Sequence, residues 1–144
     1  MGLLKESDKH ELGKAFDELS RPVRILLFTE KGDKGESEPN QVTRELIGEV
    51  AELSPQLTLE IKDLTADHEL ARTYGVDRTP AMVVMGDKDL GLRYFGVPAG
   101  HEFSGFVDNL IAVSRGEHGL PEKILAELAK VDQPVHLEVL FTPT

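Results

Sequence analysis

The spacing of apolar residues changes several times along this chain, and each change predicts an element. Leu12, Ala15, Phe16 and Leu19 recur at helical intervals behind Ser7, whose side chain suits a helix cap. Ser20-Arg21-Pro22 ends that helix. Val23 to Phe28 is apolar except for Arg24 and rich in branched residues, the pattern of a buried, parallel-type strand. The polar run Thr29 to Asn40, with Gly32 and Gly35, predicts a loop. Ser37-Glu38-Pro39 inside it predicts a helix start, with Ser37 as the cap and Pro39 in the first turn, where a missing N–H costs little. Val42, Leu46, Ile47, Val50, Ala51 and Leu53 form the buried stripe of that helix, which Ser54-Pro55 stops. Leu57, Leu59 and Ile61 alternate with polar residues, as a half-buried strand should. Asp67 to Tyr74 predicts a short helix closed by Gly75. Ala81 to Met85 and Leu92 to Phe95 are two strands joined by a Gly86-Asp87-Lys88-Asp89 turn, hence a hairpin. Phe103, Phe106, Val107, Leu110 and Ile111 mark an amphipathic helix ending near Arg115-Gly116. Pro121 opens a further helix with Ile124, Leu125 and Leu128, and Val135 to Phe141 predicts a last strand.

The resulting order is α-βαβα-ββα-αβ. Its opening βαβ unit demands a right-handed crossover and a parallel pair, and the later hairpin adds antiparallel strands to the same sheet. The economical solution is an α/β fold in three layers, a central mixed sheet between helices. It resembles the thioredoxin plan with an extra N-terminal helix.

Composition narrows the chemistry. The chain has 144 residues, about 40% of them apolar, enough for one compact domain and an appendage. Its formal net charge of -10 opposes binding to phosphate backbones, so nucleic acid is not an expected partner. No apolar stretch is long enough to span a bilayer, and the charged opening lacks a signal-peptide core, so the expectation is a cytoplasmic protein with no membrane partner. The chain has no cysteine, which rules out disulfides, thiolate nucleophiles and zinc-thiolate sites within it.

One segment repeats. Pro22-Val23-Arg24-Ile25-Leu26-Leu27-Phe28-Thr29 recurs, with one residue inserted, as Pro134-Val135-His136-Leu137-Glu138-Val139-Leu140-Phe141-Thr142. Each copy follows an amphipathic helix. The repeat divides the chain into a complete domain over 1–118 and, over 119–144, the first helix and strand of a second, truncated copy. An orphan strand exposes hydrogen-bonding edges. It is expected to be mispacked, laid on the first domain, or paired with another chain through self-association.

Candidate chemistry is sparse. The five histidines, at 10, 68, 101, 118 and 136, show no metal-ligand spacing, and His101-Glu102 lacks the second histidine of a zinc-protease helix because position 105 is Gly. Gly32-Asp33-Lys34-Gly35 lacks the tail of a phosphate loop, and no Gly-x-Ser-x-Gly elbow occurs. Asp87 and Asp89 are too few for a calcium loop. No cofactor is expected.

Leu92-Arg93-Tyr94-Phe95-Gly96-Val97-Pro98-Ala99-Gly100-His101-Glu102-Phe103, followed by Val113-Ser114-Arg115-Gly116, resembles the two-domain, glutaredoxin-like protein disulfide oxidoreductases of thermophiles. Met1-Gly2-Leu3-Leu4 and Arg78-Thr79-Pro80 fit the same family, and Leu140-Phe141-Thr142-Pro143-Thr144 resembles the lead-in to its C-terminal Cys-x-x-Cys. The N-terminal half of the alkyl hydroperoxide reductase flavoprotein is similar too. It shares the Ala99-to-Phe103 stretch, and its first thioredoxin fold also lacks the cysteine pair. The resemblance implies that Ser37-Glu38-Pro39-Asn40 stands where a Cys-x-x-Cys would open the second helix, Ser37 for the attacking and Asn40 for the resolving cysteine. It also implies that Thr79-Pro80 is the family's cis-proline position, either a structural turn or an edge where an extended peptide docks. The expected role is a redox-inactive thioredoxin-fold domain that supports or positions substrate for a second, thiol-bearing domain. In the parent, that domain reduces or isomerises protein disulfides with electrons from a flavin-dependent reductase. A partner-binding or dimerisation module is the competing expectation.

Overall fold

The computed structural model describes residues 2–142. The expected family signatures at Met1 and at Pro143-Thr144 therefore lie partly outside the described residues. Helix α1 spans Glu6–Phe16. Its capping position is Lys5, not Ser7. Ser7 lies inside the first turn, its hydroxyl donating to Asp8 Oδ1, and the acidic Glu6 and Asp8 stabilise this end through the helix dipole instead. After α1 the chain turns so that Leu19 still reaches the core.

Strand β1 spans Val23–Thr29 and is the hub of the sheet. The loop expected after it contains a two-residue hairpin, β2 (Lys31–Gly32) against β3 (Gly35–Glu36), turning through Gly35 at φ 95°. Helix α2 is Glu38–Ala51, β4 is Leu57–Asp63, and α3 is His68–Tyr74. Strands β5 (Ala81–Met85) and β6 (Arg93–Phe95) make the expected antiparallel hairpin. Helix α4 runs from His101 to Arg115, and α5 from Glu122 to Leu128.

The sheet order is β4-β1-β5-β6. β1 lies parallel to β4, from Val23 opposite Leu57 to Thr29 opposite Asp63, and antiparallel to β5. Alternation along β1 and β5 divides the core. Val23, Ile25, Leu27, Met82 and Val84 face α1, α2 and α4, packing with Phe16, Ile47 and Phe106. Leu26, Phe28, Ala81, Val83 and Met85 face the other way, toward Ala71 of α3 and Val76. Phe106 is fully buried and meets Tyr94 edge to face at 5.1 Å. This is a thioredoxin-like α/β fold with a mixed sheet, as the element order predicts.

Both ends of β1 are tied down. At its start the buried Ser114 hydroxyl accepts from the N–H groups of Ser20 (2.9 Å) and Arg21 (3.0 Å) and donates to the Arg21 carbonyl (2.6 Å). That uses all the bonding capacity of one hydroxyl. The Arg21 Nε–H donates in turn to the Ser114 carbonyl at 2.9 Å. Gly116 makes room for this, because a Cβ there would overlap the Arg21 guanidinium.

The strand expected over 135–141 is not formed. Within 119–142 only α5 is regular, none of its residues is buried, and no backbone ladder reaches the segment that follows. Leu137 is 86% exposed and Leu140 92%. The residues have strand-forming composition, but a strand exists only as part of a ladder, and no described segment lies alongside to complete one.

Candidate functional site

The two places singled out from sequence meet at one end of the sheet. β1 delivers Thr29 and Glu30 to that end, α2 begins there, and the Thr79–Pro80 loop enters β5 there. The Thr79–Pro80 peptide bond is cis. Pro80 is buried and its carbonyl accepts the Gly96 N–H at 2.9 Å, which links the loop to the end of β6.

Position 40 is the centre of the arrangement. Asn40 is 2% exposed, and its Nδ2 donates to the Thr79 hydroxyl at 3.1 Å and to the Glu30 carbonyl at 3.3 Å. The amide orientation is fixed by chemistry, since a backbone carbonyl only accepts and must face the NH2 group. One side chain thereby joins the exit of β1, the first turn of α2 and the cis-proline loop. Its Oδ1 is buried without a protein partner, and so are Thr43 Oγ1 one turn on and Glu36 Oε1. Glu36, Asn40 and Arg44 fall at successive helical intervals, and Glu36 Oε2 pairs with Arg44. The inner side of this helix start is therefore polar and partly unsatisfied, an unusual lining for a fold core.

The other motif positions behave differently. Ser37, Glu38 and Pro39 are exposed. Ser37 occupies the expected capping position with extended backbone, but its side chain makes no capping hydrogen bond. The helix instead begins through main-chain and Gln41 contacts: the Gln41 N–H donates to the Ser37 carbonyl at 3.0 Å, and Gln41 Nε2 to the Glu36 carbonyl. An exposed serine between Glu36 and Glu38 has acidic neighbours that oppose ionisation of its hydroxyl. The site therefore has neither a thiol nor an activated oxygen nucleophile.

The rim carries charge in ordered positions. The Arg78 guanidinium stacks on the Phe95 ring at 4.5 Å, beside the half-buried Thr79. Across the sheet end, Asp63 accepts the N–H groups of Ala66 and Thr65, each at 2.9 Å. Those bonds, Ala66's foremost, hold its carboxyl below the ordinary range. Burial raises Glu102 at the start of α4. It also raises Tyr94, against the opposing effect of the hydrogen bond from Asn109. Among the described residues no three histidine or acidic side chains gather as metal ligands, and His101 is exposed at the first turn of α4.

Three contributors escape the sequence reading. Glu30 acts through its carbonyl, which no side-chain pattern reveals. Arg78 belongs to the family-like stretch Arg78-Thr79-Pro80, but its role, stacking on Phe95, depends on a residue distant in sequence. Thr43 was visible in principle, because it falls on the same helical face as Leu46, Ile47 and Val50, where a polar residue is out of place.

No protein-family model matches the chain. The alkyl hydroperoxide reductase AhpF of Staphylococcus epidermidis is 25% identical over 134 residues, covering 88% of this chain and 24% of that protein. The chain thus spans about a quarter of the length of that curated relative. Among solved structures, the NTD_N/C domain of alkylhydroperoxide reductase AhpF from Enterococcus faecalis superimposes with a TM-score of 0.76 at 22% identity, covering 87% of this chain and 59% of that one. A protein disulfide oxidoreductase from Aeropyrum pernix gives the same TM-score of 0.76 at 25% identity, covering 88% and 54%. Thioredoxin from Fasciola hepatica, at a TM-score of 0.53 and 18% identity, covers 72% and 92%. These similarities agree on the fold, and they bring together the two families that the sequence resembles. Among the described residues no helix is long and apolar enough to cross a membrane.

Proposed function

We propose that this chain is a redox-silent thioredoxin-fold domain that serves a double-fold disulfide oxidoreductase as a structural or substrate-positioning unit. The observation that carries the reading is Asn40. Its side chain is a buried amide bonded to the residue before the cis-proline, and the reading takes position 40 as the counterpart of a redox-active relative's resolving thiol. Electron transfer through a disulfide needs a thiolate to attack and a second sulfur to resolve. A chain without cysteine can do neither. What remains useful is the shaped end of the sheet. Thr79 is half-buried beside the Arg78–Phe95 stack, and it offers a short edge for an extended peptide from a client protein or from a second thioredoxin-like domain.

A second reading places the chain in the N-terminal region of an alkyl hydroperoxide reductase flavoprotein, and the staphylococcal AhpF relatives favour it. Both readings require a silent domain here and a thiol-bearing fold elsewhere. They part on the company that the thiol-bearing fold keeps: only the second expects a nucleotide-binding flavoprotein segment alongside it.

The direct test is insulin reduction coupled to dithiothreitol. The expected rate equals the uncatalysed rate, and measurable turnover overturns the reading. A Ser37→Cys/Asn40→Cys variant tests the alignment of the lost motif. Titration should find both thiols consumed on mild oxidation without a disulfide-linked dimer. Two thiols that stay free would place the motif elsewhere.

A further inference from the structure

Glu36 Oε1, Asn40 Oδ1 and Thr43 Oγ1 are buried and have no protein partner, and no other buried side-chain nitrogen or oxygen among the described residues is left so. All three gather at the start of one helix. Thr43 is fully buried and Asn40 nearly so, which keeps bulk solvent from meeting their needs. Buried polar atoms are normally paired, so a cluster of unpaired ones points to a bound ligand.

Their placement is compatible with a single ligand. Asn40 and Thr43 stand three residues apart on one face of α2. Glu36 pairs through its other oxygen with Arg44, the residue after Thr43, so its carboxylate lies along the same turn.

The chemistry of the three atoms selects what binds. Asn40 Oδ1 only accepts, since its Nδ2 already faces the Glu30 carbonyl and the Thr79 hydroxyl. Glu36 Oε1 is a carboxylate oxygen and accepts as well. The Thr43 hydroxyl can donate. The group required therefore gives two protons and receives one. We propose that a resident water molecule sits here, donating to Asn40 Oδ1 and Glu36 Oε1 and accepting from the Thr43 hydroxyl. Three hydrogen bonds is the usual complement of a buried water. A metal cation fits worse, because Arg44 already offsets the single carboxylate and no group of three acidic or histidine side chains surrounds the place among the described residues. An anion would meet two oxygens that only accept.

The water extends the contacts of Asn40. Glu36 ends β3, and the Asn40 amide holds the residue before the cis-proline. Hairpin, helix start and cis-proline loop are then joined through one molecule. The Thr43 hydroxyl, which bonds no protein group, gains a role as the donor that orients it.

A crystal structure of the wild-type chain, at a resolution that shows ordered water, should place one water within hydrogen-bonding distance of all three oxygens. In solution, water-oxygen magnetic relaxation dispersion counts long-lived internal waters. Thr43→Val, which keeps the shape and removes the hydroxyl, should count one fewer than wild type, and Thr43→Ser should count the same. The urea midpoint supplies an independent sign. Were the three oxygens simply unpaired, Thr43→Val would discard an unsatisfied hydroxyl and raise the midpoint. With the water bound, the change strips it of its donor and should lower the midpoint. Equal water counts for wild type and Thr43→Val overturn the proposal, and so does a raised midpoint. Crystal density that shows nothing between the three oxygens, or a cation with short contacts to them, also overturns it. The wild-type crystal decides even if Thr43→Val fails to fold.

Discussion

Two stretches of this chain have nearly the same sequence and opposite fates. Pro22 to Thr29 becomes the central strand, with β4 on one side and β5 on the other, and Val23, Ile25, Leu27 and Phe28 are fully buried. Pro134 to Thr142 has similar branched apolar residues, with Glu138 inserted among them, and no ladder at all, and Leu137, Val139 and Leu140 are each at least three-quarters exposed. Local propensity is therefore common to both, and neighbours decide between them. The contrast extends to the preceding helices. α1 contributes Phe16 to the core, whereas α5 buries nothing.

The sharpest way to break the comparison is to truncate matching aromatics. Phe28→Ala empties a fully buried position and should cost about 3–5 kcal/mol, read as a lower urea midpoint. Phe141→Ala in the repeat should stay within about 0.5 kcal/mol, because that ring is already more than half exposed. Equal losses at both positions would mean that the repeat is packed in solution.

Next in size are the ties at the two ends of β1. Ser114→Ala removes an oxygen that accepts two main-chain N–H groups and donates to a carbonyl. Leaving those groups partly buried and unpaired should cost about 2–3 kcal/mol. Asn40→Ala should cost about 1–3 kcal/mol, since it strips the Glu30 carbonyl and the Thr79 hydroxyl of a partner but also removes an Oδ1 that no protein group bonds. Denaturant titration of both variants gives the order directly. An Asn40→Ala variant as stable as wild type would show that the amide is no clamp.

Much of this was legible in the sequence, for identifiable reasons. The strands β1, β4 and β5 declare themselves through periods of apolar residues. Gly75 and Gly116 end their helices with φ of 70° and 69°. The order of elements then leaves few topologies open. Long-range partners were not legible. The Val135–Phe141 pattern reads as a strand because pattern carries no information about who lies alongside. Ser37 has capping chemistry and the capping position, yet its side chain makes no capping hydrogen bond, a detail of rotamer that residue type does not carry. At the candidate site, position 40 could be picked only through likeness to a redox motif. That it is buried and bonded to Thr79 depends on a contact between residues far apart in sequence.

The smallest expected effect separates the two helices by pH. In the body, the Glu49 carboxylate of α2 accepts the N–H groups of Leu3 and Leu4 and pairs with Lys9 at 3.3 Å, which latches α1 and its lead-in against α2. α5 has no such latch, only the local Lys130–Glu127 pair. The Leu3 N–H above all, then the Leu4 N–H and Lys9, holds the Glu49 carboxyl below its ordinary range. The folded state thus favours the ionised form. Its contribution is complete above the unfolded-state value, about 4.3, and is lost as pH falls through the lower folded-state value. Glu49→Gln should therefore lower the urea midpoint at pH 7, and the gap from wild type should close toward pH 3. Asp63 and Asp89 are depressed in the same direction and are present in both proteins, so their acid losses cancel in the difference. A gap that holds constant down to pH 3 would mean that the neutral acid holds the Leu3–Leu4 segment as well as the carboxylate does, and the latch would then be a matter of shape and not of charge.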